Sequence, residues 1–187
     1  MRSINNWIVI QQRVVNGGVN FVLPWSDYKA GFGSISGDFW LGLEKIYQLT
    51  SSARYRLRIE IQSLDNDKWF SAEYDSFRID SEVKGYALNV SGYVGDAGDA
   101  LQETKIFAGK GYHNGMKFST TDVENDLSTD TDCANTKGGG GWWYNACSYC
   151  NLNNPANNTR FYWLTLPDLG LASVAQLKTC KMMIKTV

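Results

Sequence analysis

Gly138-Gly139-Gly140-Gly141-Trp142-Trp143-Tyr144-Asn145-Ala146-Cys147 is the stretch on which the fold turns. Four consecutive glycines make poor helix and poor strand. They do make a loop whose backbone passes close to other groups while the indoles that follow anchor it. A phosphate cradle, the usual alternative for a glycine run, fails here. No Lys-Ser/Thr follows the glycines, and no strand–loop–helix frame surrounds them.

Upstream lies Asp122-Val123-Glu124-Asn125-Asp126-Leu127-Ser128-Thr129-Asp130-Thr131-Asp132, directly before Cys133. Acidic or amide side chains fall on nearly every other position, so a looped backbone can turn several oxygens toward one centre. Calcium takes six to eight oxygen ligands, backbone carbonyls and water among them. The run is not the helix–loop–helix calcium pattern, because it lacks the glycine at its sixth position and the glutamate at its twelfth. A solvated acidic loop is the plain alternative, and spacing alone does not choose between the two.

Downstream, the four cysteines at 133, 147, 150 and 180 allow three pairings. A bridge from Cys133 to Cys147 would close a loop of about 15 residues, worth about 3 kcal/mol in the chain-entropy model. Cys147-Ser148-Tyr149-Cys150 has the spacing of a zinc half-site or a thiol redox motif. Zinc would need two more ligands, however, and His113 is the single histidine. A redox motif should open a helix in a βαβ setting, which is absent. Disulfides, and with them an oxidising compartment, are the better reading. The sequons Asn89-Val90-Ser91 and Asn157-Asn158-Thr159 agree with secretion and mark Asn89 and Asn157 as candidate glycosylation sites.

Regular structure is expected before this region. Tyr55 to Gln62 alternates, with Tyr55, Leu57, Ile59 and Ile61 on one face and Arg56, Arg58, Glu60 and Gln62 on the other. That period of two predicts a strand with one wet face, hence an antiparallel sheet. Asp65-Asn66-Asp67-Lys68 reads as a turn into a second strand from Trp69 to Tyr74. Trp7 to Ile10 and Lys181 to Lys185 read as first and last strands. Leu43, Ile46 and Tyr47 predict a short amphipathic helix within Leu41 to Leu49, and a further helical turn is expected near Ala97 to Leu101. From about Phe107 to Phe161 the regularity fades. A loop stretch that long inside a compact domain should be functional, cross-linked or metal-ordered.

Composition narrows the function. The 187 residues are 43% hydrophobic and 20% charged, enough for a packed core in one domain or two small ones. Eighteen basic against nineteen acidic residues leave a net charge of −1, which disfavours nucleic acid as a partner. No apolar run approaches the roughly 18 residues of a membrane span. With one histidine and no Gly-x-Ser-x-Gly turn, a Ser/His/Asp arrangement has no support. No carboxylate pair is marked out as acid and base. Met1 to Asn6 lacks a charged-then-apolar signal pattern, and a strand starting at once points to a fragment or processed form.

Several separate motifs together resemble the fibrinogen C-terminal domain, the fold shared by fibrinogen's globular ends, ficolins, tachylectins, angiopoietins and fibrinogen-related immune proteins of invertebrates. Trp7-Ile8-Val9-Ile10-Gln11-Gln12-Arg13 is similar to the family's first strand. Trp25-Ser26-Asp27-Tyr28-Lys29-Ala30-Gly31-Phe32-Gly33 and Gly37-Asp38-Phe39-Trp40-Leu41-Gly42 match its early block. Tyr112-His113-Asn114-Gly115-Met116-Lys117-Phe118-Ser119-Thr120 leads into the acidic loop as in the family. Gly140 to Asn145, Cys147 and Asn151-Leu152-Asn153 complete the set.

The resemblance implies an α+β fold: a twisted antiparallel sheet with short helices and a loop-rich C-terminal region ordered by calcium and disulfide. One domain is expected over 1–187, with 1–106 sheet-rich, 107–180 carrying the loops, and 181–187 closing the sheet. It implies calcium held by the carboxylates of Glu124 and Asp126 and by carbonyls near Ser128 and Asp130. The loop is one residue longer than the usual form, which leaves Asp130 or Asp132 as alternative side-chain ligands. It implies a Cys133–Cys147 disulfide and a cis peptide bond between Ala146 and Cys147. Parity adds a second bridge from Cys150 to Cys180.

The implied ligand pocket lies beside the bridge, where lectin members hold an acetyl group. Tyr144, Ala146, Cys147, Ser148, Tyr149 and Tyr162 are its candidate lining. Ala146 replaces the family's usual basic residue, Ser148 its usual histidine, and Leu166 a later tryptophan. The function implied is a secreted, non-catalytic recognition module, binding glycans, acetylated ligands or other surface ligands in innate defence. The alternative is a signalling or adhesion domain that binds a cell-surface protein. Oligomerisation through segments outside this chain would strengthen a weak single site.

Overall fold

The computed structural model describes residues 3–102, 109–155, 161–167 and 177–187. Strands β1 (Ser3–Ile4) and β2 (Trp7–Arg13) form the first hairpin. Helix α1 (Trp25–Ala30) leads to the short strands β3 (Phe32–Gly33) and β4 (Phe39–Trp40). Helix α2 covers Leu43–Ser52, strand β5 Tyr55–Ser63, strand β6 Trp69–Ile79 and strand β7 Leu88–Gly95. Among its described residues, the loop-rich part holds only helix α3 (Cys133–Thr136) and the paired strands β8 (Cys150–Asn151) and β9 (Tyr162–Trp163). Strand β10 (Leu177–Thr186) closes the fold.

All pairings in the main sheet are antiparallel, in the order β3-β4-β2-β10-β5-β6-β7, with β1 beside β2. The last strand thus sits in the middle, pairing with β2 through Met182–Gln11 and with β5 through Met182–Ile59. Burial follows the alternation predicted from Tyr55 onward. Tyr55, Leu57, Ile59 and Ile61 enter the core, while Arg56, Arg58, Glu60 and Gln62 stay partly exposed.

Helix α2 begins at Leu43 and buries Leu43, Ile46 and Thr50. Thr50 anchors it on both sides, donating to the Ile46 carbonyl and accepting from Ile79 N–H of β6. The helical turn expected near Ala97 to Leu101 is instead a bend followed by a turn. Asp99 accepts there from Gln102 N–H, a local bond that competes with helix. Strand β10 also starts four residues before the expected Lys181.

One aromatic cluster joins the sheet to the loops. Phe118 stands edge-on to Trp143 at a centroid distance of 5.1 Å, Trp142 edge-on to Trp143 at 5.3 Å, and Trp40 6.2 Å from Trp143. Trp142, Trp143, Phe118 and Trp40 are all fully buried. Among the described residues no helix is long and apolar enough to cross a membrane.

Candidate functional site

The glycine run makes the close approach that its composition predicts. A methyl group on Gly140 would stand 2.3 Å from the Asn153 carbonyl oxygen. On Gly141 it would stand 2.7 and 2.8 Å from ring carbons of Tyr28 and Phe118. Gly141 N–H donates to the Tyr28 hydroxyl at 2.9 Å, and that hydroxyl donates to the Phe21 carbonyl at 2.8 Å. Burial pushes the Tyr28 phenol well above its ordinary pKa, so it stays a hydroxyl in this relay.

The acidic loop is laced to the same stretch. Ser119 and Trp142 exchange backbone bonds of 2.9 and 3.1 Å, which fixes the loop's entry. Asn125 bonds both the Ser119 hydroxyl and the Phe118 carbonyl. Asp126 accepts from Ser128 N–H through one oxygen and from Cys133 N–H through the other, each at 2.9 Å. Leu127 N–H reaches the Asn145 carbonyl at 3.0 Å. Asp122 accepts from Trp25 N–H and from the Thr120 hydroxyl; burial opposes its ionisation, but these bonds prevail and lower its pKa.

Oxygens remain for a cation. The exposed Glu124 carboxylate and the carbonyls of Ser128 and Asp130 make no hydrogen bond to the described residues. Asp126 keeps lone pairs beyond the two it uses. Asp132 is engaged elsewhere: it caps α3, accepting from Asn135 N–H at 2.9 Å. No three acidic, histidine or cysteine side chains converge among the described residues, so carbonyls and water would have to complete a shell. Calcium accepts such donors, and the residues fit it.

Cys133 and Cys147 form a disulfide with their Cα atoms 5.6 Å apart, and the Ala146–Cys147 peptide bond is cis. Asn145 N–H donates to the Cys147 carbonyl at 2.7 Å, and Ala146 N–H to the Lys110 carbonyl at 3.0 Å. Cys147 N–H has no acceptor among the described residues, and Ala146, Cys147 and Ser148 are each half-buried. Beside them the Ser148 hydroxyl hydrogen-bonds the Tyr162 hydroxyl.

The remaining lining candidates lie deeper. Tyr144 is fully buried, donating to the Gly140 carbonyl at 2.6 Å and accepting from Asn151 at 2.7 Å. Tyr149 is almost fully buried, its N–H shared between the Gly111 carbonyl and His113. Both support the surface from beneath. Asn89 lies on β7, its side chain bonded to Arg78 and to the Ala87 carbonyl, while Asn157 falls outside the described residues.

The second bridge does not form. Cys150 and Cys180 are free, buried thiols. Cys180 Sγ lies 3.7 Å from Gln11 Oε1 and 4.0 Å from the Leu152 carbonyl. Burial drives the Cys150 thiol far above its usual pKa, partly offset by the Trp142 indole N–H. Cys180 Sγ is engaged by Gln11 and the Leu152 carbonyl, and both sulfurs remain reduced thiols.

His113 is the site residue whose part sequence reasoning missed. It is fully buried, with Nδ1 2.7 Å from the Trp143 carbonyl and Nε2 accepting from Tyr149 N–H and Cys150 N–H at 3.3 and 3.2 Å. A ring that accepts at Nε2 and meets a carbonyl at Nδ1 is the neutral tautomer with its proton on Nδ1. Burial agrees, lowering its pKa to about 4 against a weaker opposing effect of the Trp143 carbonyl. In the sequence His113 precedes the turn dipeptide Asn114-Gly115 and reads as a turn-packing residue, a signal that carries no information about depth or about its distant partners.

The family described as fibrinogen beta and gamma chains, C-terminal globular domain, matches residues 1–185. This protein belongs to that family. The family is non-enzymatic, and the absence of catalysis follows from that membership. Human fibrinogen alpha chain is 42% identical over 174 residues, which cover 85% of this chain and 19% of that protein. Mouse angiopoietin-related protein 2 is 44% identical over 141 residues, covering 75% of this chain and 26% of that protein. This fibrinogen-family chain thus spans well under half the length of these curated relatives. Among solved structures, the fibrinogen-like globe domain of human ANGPTL6 superposes with a TM-score of 0.82 at 35% identity, covering 97% of this chain and 78% of that one. Lamprey fibrin D-dimer, complexed with the peptide ligand Gly-His-Arg-Pro-amide, gives 0.81 at 31% identity, covering 98% and 62%.

Proposed function

We propose that this fibrinogen-family domain is a secreted, non-catalytic recognition module for glycans or other surface ligands in innate defence. One observation carries the reading. Cys147 N–H has no acceptor among the described residues, and it sits in the half-buried Ala146-Cys147-Ser148 segment beside the Ser148 and Tyr162 hydroxyls. A partly exposed amide donor with hydroxyl neighbours suits a small carbonyl acceptor such as an acetyl group. Calcium, held by Glu124, Asp126 and the carbonyls of Ser128 and Asp130, would order the wall of this site through Leu127 and Asn145 without touching the ligand. Glycosylation at Asn89 and Asn157, and clustering through segments outside this chain, belong to the same reading.

A glycan array run with and without a chelator tests it. Saturable binding of acetylated sugars that is lost on chelation is expected. A second reading, docking of a cell-surface protein, is favoured by the peptide ligand in the lamprey fibrin structure. Absence of sugar binding together with tight capture by one surface protein would establish that reading instead.

A further inference from the structure

Trp69 is the sole aromatic among the strongly exposed large apolar side chains of the described residues, at 57%. It begins β6 opposite Gln62 of β5 and lines a cleft of about 360 Å³ with Arg58, Glu60, Phe70, Ser71 and Asp96. That volume lies at the low end of the range for small-molecule sites. The placement follows from strand alternation. Arg58 and Glu60 project from the wet face of β5, and Trp69 and Ser71 from the same face of β6.

The polar groups around the indole are held in place and only half used. Glu60 Oε1 accepts from Arg58 Nε at 2.8 Å, and Arg58 Nη1 is bonded to Glu73. Asp96 Oδ1 accepts from Ser71 N–H at 2.6 Å. The second carboxylate oxygens of Glu60 and Asp96, and Nη2 of Arg58, make no bond to the described residues. An aromatic face is therefore rimmed by two acceptors from carboxylates and one donor from a guanidinium.

Charge decides what fits. A cationic ligand would gain from the indole and the carboxylates, but it offers no acceptor to Nη2 of Arg58, whose charge Glu60 and Glu73 already balance. An anion would meet Glu60 and Asp96. A neutral polyhydroxylated ring satisfies every group: its C–H face covers the indole, while its hydroxyls donate to the carboxylates and accept from the guanidinium. We propose that the Trp69 cleft is a saccharide subsite for neutral sugar rings. It shares no residue with the segment around Cys147, so it stands or falls independently of that site.

The test titrates the folded protein separately with chitotriose, maltotriose and lactose, following the Trp69 indole N–H and the Ser71 amide by NMR. A saturable shift of both signals with at least one sugar is expected. Trp69→Ala should weaken the Ser71 response about tenfold, the loss of one stacking contact. Glu60→Gln should weaken it less. No saturable shift with any of the three sugars, or an unchanged Ser71 response in Trp69→Ala, overturns the proposal. So does a shift evoked by an arginine-rich peptide and by none of the sugars. Because both substitutions lie on the wet face of the sheet, unaltered amide spectra elsewhere will show that the fold is kept.

Discussion

The Nδ1 atom of His113 lies 2.7 Å from the carbonyl oxygen of Trp143, which joins the entry of the acidic loop to the aromatic stretch before the disulfide. Through Nε2 the same ring holds Tyr149 and Cys150. One neutral imidazole thus supports the segments on both sides of Cys147.

Stability should fall in mild acid because of this residue. The native pKa is lowered from 6.5 to about 4. Between those values the unfolded state binds more protons than the folded one. The contribution is full above pH 6.5, declines as pH falls toward 4, and is exhausted below, amounting to about 3 kcal/mol. Urea unfolding at about pH 7 and about pH 5 measures it, and His113→Gln should flatten this part of the pH profile.

Gly141→Ala should cost about 1–3 kcal/mol, because its methyl group would press on two rigid rings in a packed core. Gly138→Ala is not an equivalent control, since Gly138 has φ 105° and any side chain there is strained. Gly37→Ala is a better one: nothing lies within 4 Å of its added carbon. Denaturant midpoints of the two variants compare the effects directly.

Asp126 and Glu124 should separate structure from cation binding. Asp126→Asn weakens the acceptors for Ser128 N–H and Cys133 N–H, and stability should drop by about 1–3 kcal/mol even in chelator. Glu124→Gln should leave the Tm in chelator unchanged and reduce the Tm gain on adding calcium. An equal gain in wild type and Glu124→Gln would remove Glu124 from the proposed ligand set.

Thiol titration distinguishes the cysteines. Without reductant, the folded protein should react slowly with a thiol reagent and the unfolded protein should show two thiols, Cys150 and Cys180. Reducing the Cys133–Cys147 bridge should lower stability by about 3 kcal/mol. A third and fourth thiol should then appear.

Much of this was readable in the sequence. The two-residue period from Tyr55 to Gln62 set strand β5 and its buried face, and Leu43 with Ile46 marked the inner side of α2. Strand β7 and helix α1 escaped notice for physical reasons. In β7 only Leu88 and Val90 are buried, so the alternation is short. Helix α1 has six residues and no side-chain cap. The Cys150–Cys180 pairing failed because counting sulfurs says nothing about where they point.

By itself the sequence determined the inner face of strand β5, a glycine loop at 138–141 whose backbone passes close to other groups, and the family, since these depend on residue identity at fixed spacing. Only the tertiary structure decided the rest. It showed His113 as an internal strut, Tyr144 as a buried support, Asp132 as a helix cap and Trp69 as a rimmed aromatic face. Each of those roles depends on groups far away in the sequence, and local pattern holds no record of which distant backbone atom a side chain will meet.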